Sequence, residues 1–406
     1  MQSDLGIVTN AGTGAVAPLA GIPSDALEVW SDGATFRAAR VSDRHTPGGL
    51  TSPKGSIKNV FQGSRTVDGT FFNLHIYDPA TVGVPSDIGY YGVRLHDAKG
   101  PVTGEGLRWH NIDKTTGYDW RNLDVVADQL AAAGKDMLYM AMCTPDRYAS
   151  ATPGTGKYDG GGGGFTGSNQ VPTSPGRTAW VNFATALANR YNGGAHGRIS
   201  TYEVWNEVNY SSYWAGTHAQ YADLLRIFRN AVRTVDAALK VGAPTIQEPE
   251  GTGNAWLSTF LGASDGAAGT GKDHLDYCFV HLYPPKYNFG VAWNQVDLVR
   301  ATLDAAGKTS TEIWNTETGV LKDPARDIDD AWKARMVRRT LALCAAKGVK
   351  RYYWYTYDNP DMSMSSAMKD AWNEMRDVLI GNTIQNCNIL PDERVCITIN
   401  GQEYKY

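Results

Sequence analysis

Two stretches, more than a hundred residues apart, end alike. Residues 199–209 read Ile-Ser-Thr-Tyr-Glu-Val-Trp-Asn-Glu-Val-Asn: a strand-like alternation of β-branched and aromatic residues that closes on an amide, Asn206, and a carboxylate, Glu207. Residues 311–319 read Thr-Glu-Ile-Trp-Asn-Thr-Glu-Thr-Gly and again carry a strand to a carboxylate, Glu317. Two strand-end glutamates so distant in sequence face each other only if their strands lie in one sheet or barrel. That pairing restricts the fold more than any other feature of the chain.

The 406 residues, 42% hydrophobic and 20% charged, suffice for one large barrel with appendages or for two or three small domains. A net charge of −4 and the lack of a basic run argue against a nucleic-acid partner. No apolar run in the sequence is long enough to span a membrane. The start, Met1-Gln2-Ser3-Asp4, has neither the basic nor the apolar part of a signal peptide, so Met1 reads as an added start on a trimmed chain; a secreted or periplasmic location is expected. Cys143, Cys278 and Cys344 fall in apolar segments and read as buried thiols. Cys387 and Cys396 flank a polar turn and could bridge two hairpin arms, which would indicate an oxidising compartment.

Residues 1–65 are rich in Gly, Ser, Thr and Pro and read as an extended leader that could add strands to the body. From residue 66 a rhythm sets in. Strand-like runs occur at 71–76, 90–95, 136–142, 200–205, 239–243, 275–282, 311–314 and 350–355, with amphipathic helices between most of them; the first crossover, 79–87, shows no convincing helix. Eight strands alternating with helices predict an α/β fold, a (β/α)8 TIM barrel over 66–380. A doubly wound sheet is the rival, but no G-x-G-x-x-G follows the first strand. The glycine-rich 154–167 lacks a lysine at P-loop spacing and reads as a loop over the barrel mouth. The tail, 381–406, alternates apolar and polar residues and reads as a hairpin-like part of a small β-rich appendage shared with the leader.

Active residues of such barrels gather at the carboxyl ends of the strands. There the strand count places Arg94, His96 and Asp97 after the second strand, Asn206 and Glu207 after the fourth, His281 and Tyr283 after the sixth and Glu317 after the seventh. Cleaving a glycosidic bond needs two carboxyl groups, one to protonate the leaving oxygen and one to attack the anomeric carbon (~5–5.5 Å apart) or to activate water (~6.5–9.5 Å). Each candidate has a plain counterpart: Arg94 could pair with a core carboxylate, and His281 could be a satisfied core histidine. Tyr148 and Trp214, in loops after strands three and four, are candidates for outer sugar subsites. His96 and Asp97 lack a third ligand at metal-site spacing, and no metal or cofactor is expected.

Residues 202–209 and 314–319, the His281-Leu282-Tyr283 run, Trp354, Val93-Arg94-Leu95 and residues 118–124 together resemble clan A of the glycoside hydrolases. More closely they resemble family 39, and within it bacterial exopolysaccharide endoglycosidases of the Psl type. The resemblance covers residues 70–380. It implies retaining hydrolysis of a β-linked polysaccharide or oligosaccharide, with Glu207 as acid/base of raised pKa and Glu317 as nucleophile. It further implies that Asn206 holds the sugar 2-hydroxyl, Tyr283 and Arg94 serve the nucleophile, and Trp354 floors the −1 subsite. An aromatic is common in the family where His96 stands, which implies a changed subsite contact. An exo-acting β-xylosidase and a non-catalytic polysaccharide-binding barrel are the alternatives.

Overall fold

In a computed structural model the eight strand-like runs become one closed barrel. The structure describes residues 27–31, 36–40, 57–150, 168–283, 290–320 and 329–406. The barrel strands are β1 (Phe72–His75), β2 (Gly92–Leu95), β3 (Asp136–Ala141), β4 (Thr201–Val204), β5 (Lys240–Gln247), β6 (Tyr277–His281), β7 (Glu312–Thr318) and β8 (Tyr352–Trp354). They are parallel, follow chain order around the ring, and close by pairing β8 with β1 in the register Tyr352↔Phe72 and Trp354↔Leu74. The strands run as near-continuous apolar segments because helices cover their outer faces.

Helices stand outside and bury one stripe each. Arg121–Ala132 buries Leu123, Val126 and Leu130; Ser174–Arg190 buries Trp180, Phe183 and Leu187; His218–Val235 buries Tyr221, Leu225, Phe228 and Val232. The last of these opens on a reciprocal cap between Thr217 and Gln220. Asp330–Lys347 starts at Asp329, whose side chain accepts from Trp332, and stops at Gly348 in the left-handed conformation. The first crossover holds only the four-residue helix Pro79–Val82. No helix among the described residues is long and apolar enough to cross a membrane.

Side chains alternate across each strand, so positions two apart share the barrel interior. Leu138, Phe279, Trp314 and Tyr353 plug its lower layer. Gly242 on β5 makes room for this plug: a Cβ there would lie 1.9 Å from the Phe279 ring. One step nearer the carboxyl ends the same interior column changes character, with His75 on β1, Arg94 on β2, Glu203 on β4 and His281 on β6, all buried. The apolar plug thus supports a polar layer just below the mouth.

Contact density divides the chain at 57/58, into Met1–Ile57 and Lys58–Tyr406. In the first unit Leu27–Ser31 pairs antiparallel with Phe36–Arg40. In the second, Lys58–Thr66 joins the tail strands Thr383–Ile389, Val395–Ile399 and Gln402–Lys405 in a four-stranded antiparallel sheet. The strand 58–66, at the end of the stretch read as a leader, thus joins the tail in the small β-rich appendage that the sequence suggests. The bridge between Cys387 and Cys396 does not form; all five cysteines are free. Cys387 lies opposite Ile397, and Cys396 opposite Asn388, so the two thiols are one register step apart and point to opposite faces of the sheet.

Candidate active site

Glu207 and Glu317 meet. One oxygen of each carboxylate and one ring nitrogen of His281 lie within 4.8 Å of one another at the carboxyl ends of β4, β6 and β7. The turn leaving β4 aims its pair of polar residues. Trp205 and Glu207 take φ of 67° and 42°, a left-handed region that non-glycine residues seldom enter. Trp205 Nε1 donates to the Tyr213 carbonyl at 2.6 Å, and Val208 N donates to the Thr245 carbonyl at 3.1 Å, which fixes this bend.

Around Glu317 three side chains converge, from the end of β2 and from beyond β6. Arg94 Nη1 donates to its Oε2 at 2.9 Å, and the Tyr283 hydroxyl donates to its Oε1 at 2.6 Å. His96 Nδ1 lies 3.8 Å from Oε2. Burial pushes the Glu317 carboxyl up, and the nearby His281 and the Arg94 charge pull against it. Burial opposes the charge on Arg94 as well, yet Glu203 and Glu317 more than offset that cost and hold the guanidinium protonated. His281 is pushed down to about 4 by burial, and His96 well below its usual value by burial and the Arg94 and Arg108 charges, so both rings are neutral near pH 7.

Glu207 sits in a net of its own. Its Oε1 lies 2.8 Å from His281 Nδ1. The Gln247 amide, oriented by its hydrogen bonds, donates to Oε1 at 2.9 Å and Oε2 at 3.2 Å. The Tyr213 hydroxyl also hydrogen-bonds this carboxylate. Asn206 Oδ1 accepts from Arg94 Nη2 at 2.9 Å, which turns the NH2 end of its amide away from the guanidinium.

Arg94, His96, Asn206, Glu207, His281, Tyr283 and Glu317 are therefore brought together at the rim; Trp354, Trp214 and Tyr148 make other contacts. Alternation on β8 turns Tyr353 and Tyr355 inward and Trp354 outward. Trp354 is 0% exposed and packs edge-on against Trp372 of helix Ser366–Leu379, 6.4 Å between centroids. The aromatic at the mouth is Tyr355, whose hydroxyl donates to Asp97 at 2.7 Å and whose ring meets His75 edge-on at 5.0 Å. Trp214 is buried edge-on between Trp205 and Tyr221. Tyr148 stacks on Trp109 at 6.1 Å under the Arg147 guanidinium. Both pack loops. The 154–167 loop lies outside the described residues.

Sequence reading missed Glu203, Gln247 and His75. Glu203 had a signal: a carboxylate in mid-strand, flanked by Tyr202 and Val204, has no solvent to face and needs a buried cation. His75 Nε2 sits 2.8 Å from the Thr316 carbonyl, which only accepts, so that nitrogen carries the proton.

Two carboxylates and an imidazole are also a set that a divalent cation can take. Here Glu317 Oε2 already faces a buried guanidinium and Oε1 a phenol, so a cation would sit against Arg94. The donor set does not fit a metal.

Loss of the Tyr283 hydroxyl gives a clear sign. It donates to the ionised form of Glu317, so its removal raises that carboxyl further, and the acid limb of any activity needing ionised Glu317 moves to higher pH. Tyr283→Phe should show this shift together with a fall in kcat of about 10–100-fold, the worth of one hydrogen bond to a charge. A kcat/KM profile across pH checks both.

A closed eight-stranded parallel barrel with two carboxylates this close at its carboxyl rim defines a protein of the glycoside hydrolase class. The match to known families agrees. The chain belongs to the glycosyl hydrolase catalytic core family, whose model matches residues 157–380, more than half of the chain. A β-xylosidase of Caldicellulosiruptor saccharolyticus is 26% identical over 214 residues, 51% of this chain and 39% of that protein, so the matched part spans about two fifths of that relative's length. Among solved structures, a monomeric β-xylosidase from Caulobacter crescentus superposes with a TM-score of 0.58 at 19% identity, covering 83% of this chain and 74% of the other. The family 39 glycoside hydrolase from Xanthomonas axonopodis pv. citri gives 0.58 at 17%, covering 83% and 72%. These structures share the fold.

Proposed function

We propose that this protein is a retaining glycoside hydrolase that cleaves β-linked sugars within a polysaccharide by double displacement through a covalent glycosyl-enzyme. The approach of Glu207 and Glu317, oxygens within 4.8 Å, carries the reading. It favours direct attack (~5–5.5 Å between carboxyls) over the wider spacing that inversion needs for its water (~6.5–9.5 Å).

Glu317 attacks the anomeric carbon while Glu207 protonates the departing oxygen; the C1–O bond to the leaving sugar breaks as the ester bond to Glu317 forms. Glu207 then takes a proton from water, whose oxygen attacks C1 and releases Glu317. Its partners suit both states, since the Tyr213 hydroxyl and the His281 Nδ1 can each donate or accept. Asn206, its carbonyl held by Arg94, offers its NH2 to the sugar 2-hydroxyl.

Within this class we favour endo action on a bacterial exopolysaccharide, on the likeness of residues 202–209 and 314–319, and a site of action in the periplasm or outside the cell, where such polymers lie. The 26% identity to a β-xylosidase favours a second reading, exo-cleavage of β-xylosides. Hydrolysis of purified exopolysaccharides and xylan, followed by chain length and by proton NMR of the first product anomer, separates the two. Oligosaccharides released with the β-anomer first support endo, retaining action, and xylose alone supports the second reading. First appearance of the α-anomer sinks retention.

A further inference from the structure

Arg94 grips two carboxylates unequally. Nε and Nη2 close a two-pronged pair with Glu203, at 2.6 and 2.8 Å, and only Nη1 reaches Glu317, at 2.9 Å. Arg94 Nη2 also meets Asn206 Oδ1 at 2.9 Å and Met140 Sδ at 3.3 Å. Glu203 is 0% exposed and is itself anchored by Thr245, whose hydroxyl donates to Oε1 at 2.5 Å. The geometry points to Glu203 as a positioning residue that serves as the standing counter-ion of Arg94, so that the guanidinium orients the Glu317 carboxylate without neutralising it. This rests on the reading of Glu317 as nucleophile.

The chemistry of a double displacement calls for such a group. When Glu317 becomes a glycosyl ester it loses its charge, and a buried guanidinium with no other anion would be left uncompensated. Glu203 takes no part in that step, and its two-pronged bond keeps Arg94, and through it Asn206, in place. Before attack, the two-pronged pair draws the cation toward β4, which leaves Glu317 with more of its electron density for the anomeric carbon.

Charge near Glu317 comes from few groups. Arg94 and His96 face it from β2, His281 and Tyr283 from β6 and beyond, Glu207 and Tyr213 from the loop after β4, and Tyr355 from beyond β8. With both histidines neutral, Arg94 is the cation in this set, and Glu203 balances it. Glu203→Gln removes that balance. The potential at Glu317 turns more positive, its ionised form is favoured, and its titration moves to lower pH by about one unit. Tyr283→Phe moves the same titration in the opposite direction.

The test titrates Glu317 directly, by carbon NMR of protein labelled at glutamate carboxyls, its resonance assigned by its absence in Glu317→Gln. A downward shift in Glu203→Gln, with a smaller pre-steady-state burst because glycosylation slows, is expected; an unmoved or raised midpoint overturns the proposal. Should Glu203→Gln not fold, Glu203→Asp keeps the charge but shortens its reach. Its midpoint should stay with the parent while kcat falls about tenfold through a misplaced Arg94, and parental kcat overturns the proposal. The titration needs no substrate, so it reads Glu203 separately from the hydrolytic reading, which fails on its own if the parent cleaves no glycan.

Discussion

Glu317→Gln folds like the parent, binds glycan, and hydrolyses it more than about 10⁴-fold more slowly, the scale seen when a covalent nucleophile is lost. Glutamine has the shape of glutamate, and its carbonyl still accepts from Arg94, while the Tyr283 hydroxyl turns to accept from the new amide. Arg94 keeps Glu203, so no buried cation is stranded and the melting temperature changes little. The amide cannot form a stable ester with the sugar. A thermal melt, a glycan-binding isotherm and a single-turnover rate measure the three parts. A variant that cleaves within tenfold of the parent would take the nucleophile away from Glu317.

Much of this was readable from the chain. The barrel strands announce themselves because a parallel sheet covered on its outer face consists of short apolar β-branched and aromatic runs, and helical stripes with glycine stops separate them. Glu207 and Glu317 stand out because each ends such a run. What could not be read is which way a side chain points when a strand is only three residues long. Trp354 and Tyr355 are neighbours, and a single step of alternation decides that one packs on Trp372 and the other meets Asp97. Trp214 and Tyr148 show the same limit in loops, where an aromatic serves packing and sugar stacking equally well in composition. Glu203 and Gln247 gain their roles from partners far off in sequence, Arg94 two strands away and Glu207 just past the neighbouring strand, and only the folded sheet brings those partners within reach. The tail cysteines are separated by a register offset of one, which residue spacing does not encode.

Removal of the other carboxylate should depend on the leaving group. In Glu207→Ala the departing oxygen receives no proton, so a sugar or alkyl leaving group slows the first step by about 10²–10⁴-fold. An aryl β-glycoside with a strongly acidic phenol needs no such help, and its first step proceeds nearly as in the parent. The glycosyl-enzyme on Glu317 then accumulates, because water has lost the base that activates it. Azide is a nucleophile that needs no base, and it should restore turnover on the aryl substrate while giving the β-glycosyl azide, with the configuration kept by two inversions. The alanine also removes the shared partner of Gln247, Tyr213 and the His281 Nδ1, of which the last two are buried, so the cost in stability is that of unsatisfied buried groups, about 1–3 kcal/mol each. Rates on two aryl substrates of different phenol acidity, with and without azide, distinguish this from a role in binding alone: equal losses on both, with no azide product, would mean that Glu207 handles no proton.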